Sequence, residues 1–109
     1  MKCGEIWSVS GAAGYGSKPR PALILQSDTL AGTKSVITCG FTTLIIDGVP
    51  FRPLIEPTPK NGLHAPSSVM ADKMIAVQRE KAGQRIGQLS AEDMALVEEA
   101  MLLVLGFAG

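Results

Sequence analysis

Two stretches of this chain, residues 10–19 and 56–67, hold too much glycine and proline for any regular element, and they dictate what the rest can become. Between and around them the apolar residues fall into runs too short for helices. Residues 5–10 alternate, with Ile6 and Val9 near Trp7. Residues 22–26 and 35–42 are short apolar runs with β-branched members, bounded by Ser27, Asp28 and Gly32. Asp47-Gly48 between residues 44–46 and 51–55 is a hairpin signal, with Pro50 and Pro53 confining its second strand to a sheet edge or interrupting it. Residues 68–71, 74–78 and 84–89 add further short strands.

One helix is expected, starting at Ser90. Ser90 and Asp93 stand in the spacing of a capping box, and Glu92 and Asp93 oppose the positive end of the helix dipole. Met94, Val97, Met101, Val104 and Leu105 form an apolar stripe, but Leu96, Leu102 and Leu103 occupy other faces. Such a helix needs burial against its own sheet and against another surface, such as a second copy of the chain. The expected fold is therefore mainly β, a small antiparallel barrel or curled sheet of five to seven strands closed by a C-terminal helix. At 109 residues it forms one domain, residues 1–109. The two long loops are where function is expected.

The formal net charge is zero, which argues against a nucleic-acid binder only at first sight. All 10 Lys and Arg residues lie at or before Arg85, whereas Glu92, Asp93, Glu98 and Glu99 follow it. The body therefore carries a basic excess that the terminal segment cancels. Cys3 and Cys39 stand far apart with no CxxC and no clustered histidine, which excludes a zinc knuckle or disulfide framework and fits a reducing cytoplasm. No segment approaches the roughly 20 apolar residues that span a bilayer, and no secretory signal pattern is visible.

Candidate chemistry concentrates at a few positions. The loop glycines Gly11, Gly14 and Gly16 lack the Gly-Lys-Ser/Thr ending and the following helix of a phosphate loop. Pro19 and Pro21 bracket Arg20, fixing the backbone on both sides and making a rigid mount for a guanidinium fork, which suits either a phosphate or a surface carboxylate. Lys18 stands beside it. Thr42 and Thr43 end a strand, where their hydroxyls serve a sheet or hold phosphate oxygens. Phe51, Arg52, Lys60, Asn61 and His64 combine a ring, cations and amide donors, the mixture that recognises single-stranded RNA. Asp72 and Lys73 read as a functional or a solvated pair. His64, the lone histidine, is a candidate for proton transfer. There is no HxxxH, DxD or Cys/His set, so no metal and no cofactor is expected.

In order along the chain, Gly4-Glu5-Ile6-Trp7, the Gly-rich loop into Arg20-Pro21-Ala22-Leu23-Ile24-Leu25, Val36 to Thr43, Ser68 to Lys73, and Ile86-Gly87-Gln88-Leu89-Ser90 with its helix resemble the MazF/PemK toxins of bacterial toxin–antitoxin systems. The resemblance implies an SH3-like barrel, a homodimer, and a metal-independent endoribonuclease cutting single-stranded RNA, chiefly messenger RNA, at short sequences. The ribose 2′-OH attacks the neighbouring phosphate. The family's Arg-Pro arginine maps onto Arg20 and its strand-end Ser/Thr onto Thr42, with Thr43 adjacent. It also implies a cognate antitoxin whose disordered acidic segment covers the RNA groove. Many members carry an acidic residue shortly before the Arg-Pro, and this chain has none between Glu5 and Arg20, which leaves the general base open among His64, Asp72, a second subunit and no dedicated group. A competing expectation is a non-catalytic CcdB-like toxin of the same fold that poisons gyrase. Arg20 with Thr42 speaks against it, and residues 106–109 lack the terminal signature associated with that class.

Overall fold

The computed structural model describes residues 1–12 and 14–107. Seven strands, β1 (Glu5–Val9), β2 (Arg20–Ile24), β3 (Ser35–Thr42), β4 (Leu54–Ile55), β5 (Ser67–Val69), β6 (Ile75–Gln78) and β7 (Ala82–Gln88), precede the helix α1 (Ala91–Val104). All pairings are antiparallel, in the order β4-β5-β3-β2-β1-β7, with β6 also on β3. The curl has two sources. β3 changes partner along its length, from β6 at Ser35–Thr38 to β5 at Phe41 and Thr42. The β1–β7 ladder is irregular on both sides of Trp7, and such bulges increase local twist. The sheet then closes through the β4–β5 connection, where Gln88 N–H donates to Lys60 O at 2.9 Å.

Strand alternation splits the buried side chains between the two faces of this sheet. Toward α1, Ile6, Leu23, Cys39, Ile55, Val69 and Leu89 pack with Val97, and Met94 and Met101 lean on the same cluster. On the opposite face Ala22 and Ile24 join Val9, Val36, Val77 and the loop residue Tyr15. The helix therefore covers one face, and the Gly-rich β1–β2 loop folds back to cover the other.

Helix α1 starts where expected, with Ser90 Oγ accepting from Asp93 N–H at 3.1 Å. Its inward stripe is Val97 and Ala100. Val104 and Leu105, expected in that stripe, are exposed, as are Leu96, Leu102 and Leu103. Other expectations need correction. Residues 44–46 form no strand, so the Asp47-Gly48 hairpin does not exist; Pro50 and Pro53 remove ladder donors, and only Leu54–Ile55 pairs. The strand expected to reach Ala71 stops at Val69, and Ala71–Lys73 makes a 3-10 turn. Among the described residues no helix is long and apolar enough to cross a membrane.

Candidate active site

The β2–β3 ladder ends two residues short of the two most informative sequence positions. Ala22 faces Gly40, Leu23 faces Cys39 and Ile24 faces Thr38. Beyond the last pair the same register leads to Arg20 on β2 and Thr42 on β3, and alternation puts both on the face away from α1, with Ala22 and Gly40. Arg20 is exposed and Thr42 half-buried. Thr42 Oγ1 accepts from Leu44 N–H at 3.1 Å, which orients its hydroxyl where the chain leaves β3. Thr43 is exposed beside it. Arg20 and Lys18 belong to no ion pair among the described residues. The surface-carboxylate alternative for Arg20 is thus absent there, and the fork is free to meet an anion.

The loop carrying Lys18 is anchored by Tyr15. Gly11, Gly14 and Gly16 all have left-handed φ (70°, 86° and 70°), and Gly11 N–H reaches Gly16 O at 2.6 Å, so the loop doubles back tightly. This drives Tyr15 into the sheet face, 7% exposed. Thr38 Oγ1 donates to Ile75 O at 3.1 Å, leaving it to accept from the Tyr15 hydroxyl at 2.9 Å. Burial pushes the phenol up to about 12, so Tyr15 is a neutral donor and no base at ordinary pH. The sequence reading missed this role; its signal was a lone aromatic among loop glycines.

Arg52 and Asp72 occupy each other. The guanidinium grips both carboxylate oxygens, at 2.6 and 3.0 Å. The hydrogen bond from Arg52 holds the Asp72 carboxyl below the usual range and raises the guanidinium in turn. Asp72 is thus a poor proton acceptor, and the pair serves as a fixed dipole on the turn after β5. Lys73, next to it, is exposed and has no ion-pair partner among the described residues. Phe51 is half-buried in the β3–β4 connection.

The expected RNA contacts of the β4–β5 loop fare differently. Asn61 is 1% exposed. Its amide accepts from Thr58 and Leu63 N–H, both at 3.0 Å, and donates to Glu56 O at 2.8 Å. It is the internal brace of this loop, and the expectation that it offers an amide to a ligand is corrected. Lys60 and His64 are exposed on the same loop, but no hydrogen bond or ion pair among the described residues joins them to Arg20 or Thr42. Among the described residues no group of three His, Cys, Asp or Glu is placed to hold a metal ion. Cys39 lies in the helix-side core, its thiol pushed up to about 12 by burial.

A family model described as "PemK-like, MazF-like toxin of type II toxin-antitoxin system" matches residues 2–105. The chain is 41% identical over 109 residues to a probable endoribonuclease MazF of Mycolicibacterium smegmatis, covering 100% of both chains. It is 29% identical over 112 residues to endoribonuclease MazF9 of Mycobacterium tuberculosis, covering 94% of each. In fold it is similar to an endoribonuclease solved in complex with its cognate antitoxin from a mycobacterial species, with a TM-score of 0.81, 20% identity, and coverage of 97% of this chain and 95% of that one.

Proposed function

The chain belongs to the PemK-like, MazF-like toxins of type II toxin–antitoxin systems, and we propose that it is a cytoplasmic, metal-independent endoribonuclease cleaving single-stranded messenger RNA at Arg20 and Thr42. What supports this reading is the β2–β3 register, which, carried two residues past its last pair of Ala22 with Gly40, leads to an unpaired Arg20 on one strand and to Thr42, its hydroxyl bonded by Leu44 N–H, on the other. In the proposed step the ribose 2′-oxygen bonds to the adjacent phosphorus and the bond to the 5′-oxygen breaks. The products are a 2′,3′-cyclic phosphate and a 5′-OH, the 2′ proton leaving to an acceptor and another reaching the leaving oxygen. Arg20 stabilises the doubly charged phosphorane and stands ready to protonate the leaving oxygen. Thr42 positions a non-bridging oxygen. A donor aimed at developing charge commonly supplies the largest single catalytic contribution.

No dedicated base is assigned. Asp72 is held as a carboxylate by Arg52, and His64 sits on the other loop. Lys18, Thr43, Phe51, Arg52 and Lys73 are proposed to guide the strand. Lys60 and His64 are proposed as outlying phosphate contacts.

Two partners are proposed, each supported by a feature of the surface. A groove of about 930 Å³ runs between the β3–β4 connection, β4 and α1, and Ile45, Ile46, Leu54, Leu96, Leu102 and Leu103 line it. Each of those side chains is substantially exposed in the single chain, so the groove suits a homodimer with α1 at its centre. The free cations around Arg20 suit an acidic antitoxin segment that competes with RNA. Incubation of purified protein with a varied RNA pool in EDTA tests the activity: fragments with 5′-OH ends are expected. An intact pool together with gyrase binding would replace the ribonuclease reading by that of a gyrase poison. Residues 108 and 109, part of the terminal signature weighed for that class, lie outside the described residues.

A further inference from the structure

We propose that the small cavity between the Gly-rich loop and β3 receives one unstacked base of the RNA beside the cut and selects it by size, an inference that rests on the ribonuclease reading above. The cavity measures about 260 Å³, with Gly14, Tyr15, Gly40, Met70, Lys73 and Ile75 in its walls. That is below the roughly 300 Å³ at which pockets for drug-sized ligands begin, and it suits a single flat ring. Gly40 precedes Thr42 by two residues on β3, so both point to the same sheet face ~7 Å apart. Cavity and proposed phosphate site therefore lie about one nucleotide's reach from each other. Lys73, in no ion pair among the described residues, stands in the wall to meet a flanking phosphate.

Gly40 lets the Met70 methyl and the Tyr15 ring pack directly on β3, and so sets where the cavity wall stands. The φ of Gly40 is not in the left-handed region, so the backbone there does not require glycine. A Cβ at that position would stand 3.0 Å from Met70 Cε and 3.6 Å from a Tyr15 ring carbon. The polar groups nearby are already committed. Gly40 O accepts from Met70 N–H at 2.9 Å, and the Tyr15 hydroxyl is bonded to Thr38. Apart from Lys73, which is turned to the flanking phosphate in this proposal, what remains is ring and thioether surface, which contacts a base face without reading its hydrogen-bonding edge. Discrimination at this position is therefore by ring size.

The test compares cut-site profiles of the wild type, Met70→Ala and Gly40→Ala on a randomised RNA pool, with thermal melts to confirm folding and Met70→Leu as a volume-conserving control. Met70→Ala enlarges the cavity. It is expected to raise acceptance of the larger bases roughly tenfold at one position next to the cut and to leave the other positions unchanged. Gly40→Ala is expected to shift the same position toward smaller bases, and Met70→Leu to keep the wild-type profile. If Gly40→Ala does not fold, Met70→Ala decides alone. A folded, active Met70→Ala with the wild-type profile at every position overturns this inference and leaves the ribonuclease reading standing. Wild-type protein that cuts no RNA overturns that reading, and this inference with it.

Discussion

The two glycine- and proline-rich loops look alike in sequence and behave in opposite ways. Residues 56–66 spend their polar groups on themselves: Asn61 braces Thr58, Leu63 and Glu56, and the backbone of Lys60 holds Gln88. The loop lies so close to β7 that a Cβ on Gly87 would run into the Lys60 and Asn61 carbonyls. Residues 10–19 bury Tyr15, leave Lys18 exposed and lead into the exposed Arg20 at the start of β2. One loop closes the sheet; the other covers a sheet face and presents charge. Turn-forming residues thus mark irregular backbone in both, and only the fate of the polar groups separates a strap from a site.

The sharpest way to break this contrast is to remove the cation that the first loop delivers at the start of β2, Arg20, and one cation of the second loop, Lys60. Arg20→Ala is expected to lower RNA cleavage by about a hundredfold or more while leaving the melting temperature unchanged, because the side chain is exposed and unpaired among the described residues. Lys60→Ala is expected to change cleavage by no more than about threefold, the size of one exposed ionic contact. Initial rates on a single cleavable oligoribonucleotide measure both. Comparable losses would mean that both loops line one RNA path.

The converse substitution attacks stability. Asn61→Ala strands the Thr58 and Leu63 N–H groups and the Glu56 carbonyl, at a cost of about 2 kcal/mol or more in urea unfolding. Cleavage per folded molecule should stay near wild type.

These cases show what the chain reveals before it folds. Strand runs, the Ser90 cap and the proline-bracketed Arg20 are local features, so periodicity and turn chemistry expose them. That Arg20 and Thr42 lie on adjacent strands and one sheet face depends on pairing and register, which a sequence of short strands does not state. Asn61-Gly62 reads as a generic turn signal, and nothing local distinguishes a braced asparagine from a solvated one. Leu44, Ile45 and Ile46 have strand composition but pair with no strand; Leu44 is exposed, and Ile45 and Ile46 line the groove beside α1. Tyr15 was hidden for the same reason: its partner Thr38 lies 23 residues away and across the sheet.

Acid should act more strongly on the platform beneath the strap than on the active face. Burial pushes the Glu5 carboxyl up, but hydrogen bonds from Lys2 N–H, Trp7 Nε1 and Arg85 outweigh it and bring the group from 4.5 down to about 2. A depressed carboxylate confers stability that is fully present above about pH 4.5 and is lost as the pH falls toward 2. Arg85 lies on β7, so protonating Glu5 loosens β7 from β1, where the strap rests. Asp72 is depressed in the same direction, but its side chain is 28% exposed against 14% for Glu5, so water screens it more. Urea midpoints between pH 6 and 3 should therefore flatten in Glu5→Gln and keep most of their slope in Asp72→Asn.

The smallest effect is expected at the pin of the active-face loop. Tyr15→Phe keeps the buried ring and removes one hydroxyl, leaving Thr38 Oγ1 still donating to Ile75 O. Because the lost partner is an acceptor that retains another bond, the stability cost should be about 1 kcal/mol or less. Its consequence for the loop should be larger than its consequence for the fold. With the ring packing and the turn's own backbone bonds left but the hydroxyl gone, the segment carrying Lys18 should exchange its amide protons faster than wild type, while those of residues 56–66 stay as protected as before. Equal loosening of both loops would show that the two are mechanically coupled through the sheet. Unchanged exchange in residues 14–18 would show that the packed ring and the doubled-back glycine turn suffice without the hydroxyl.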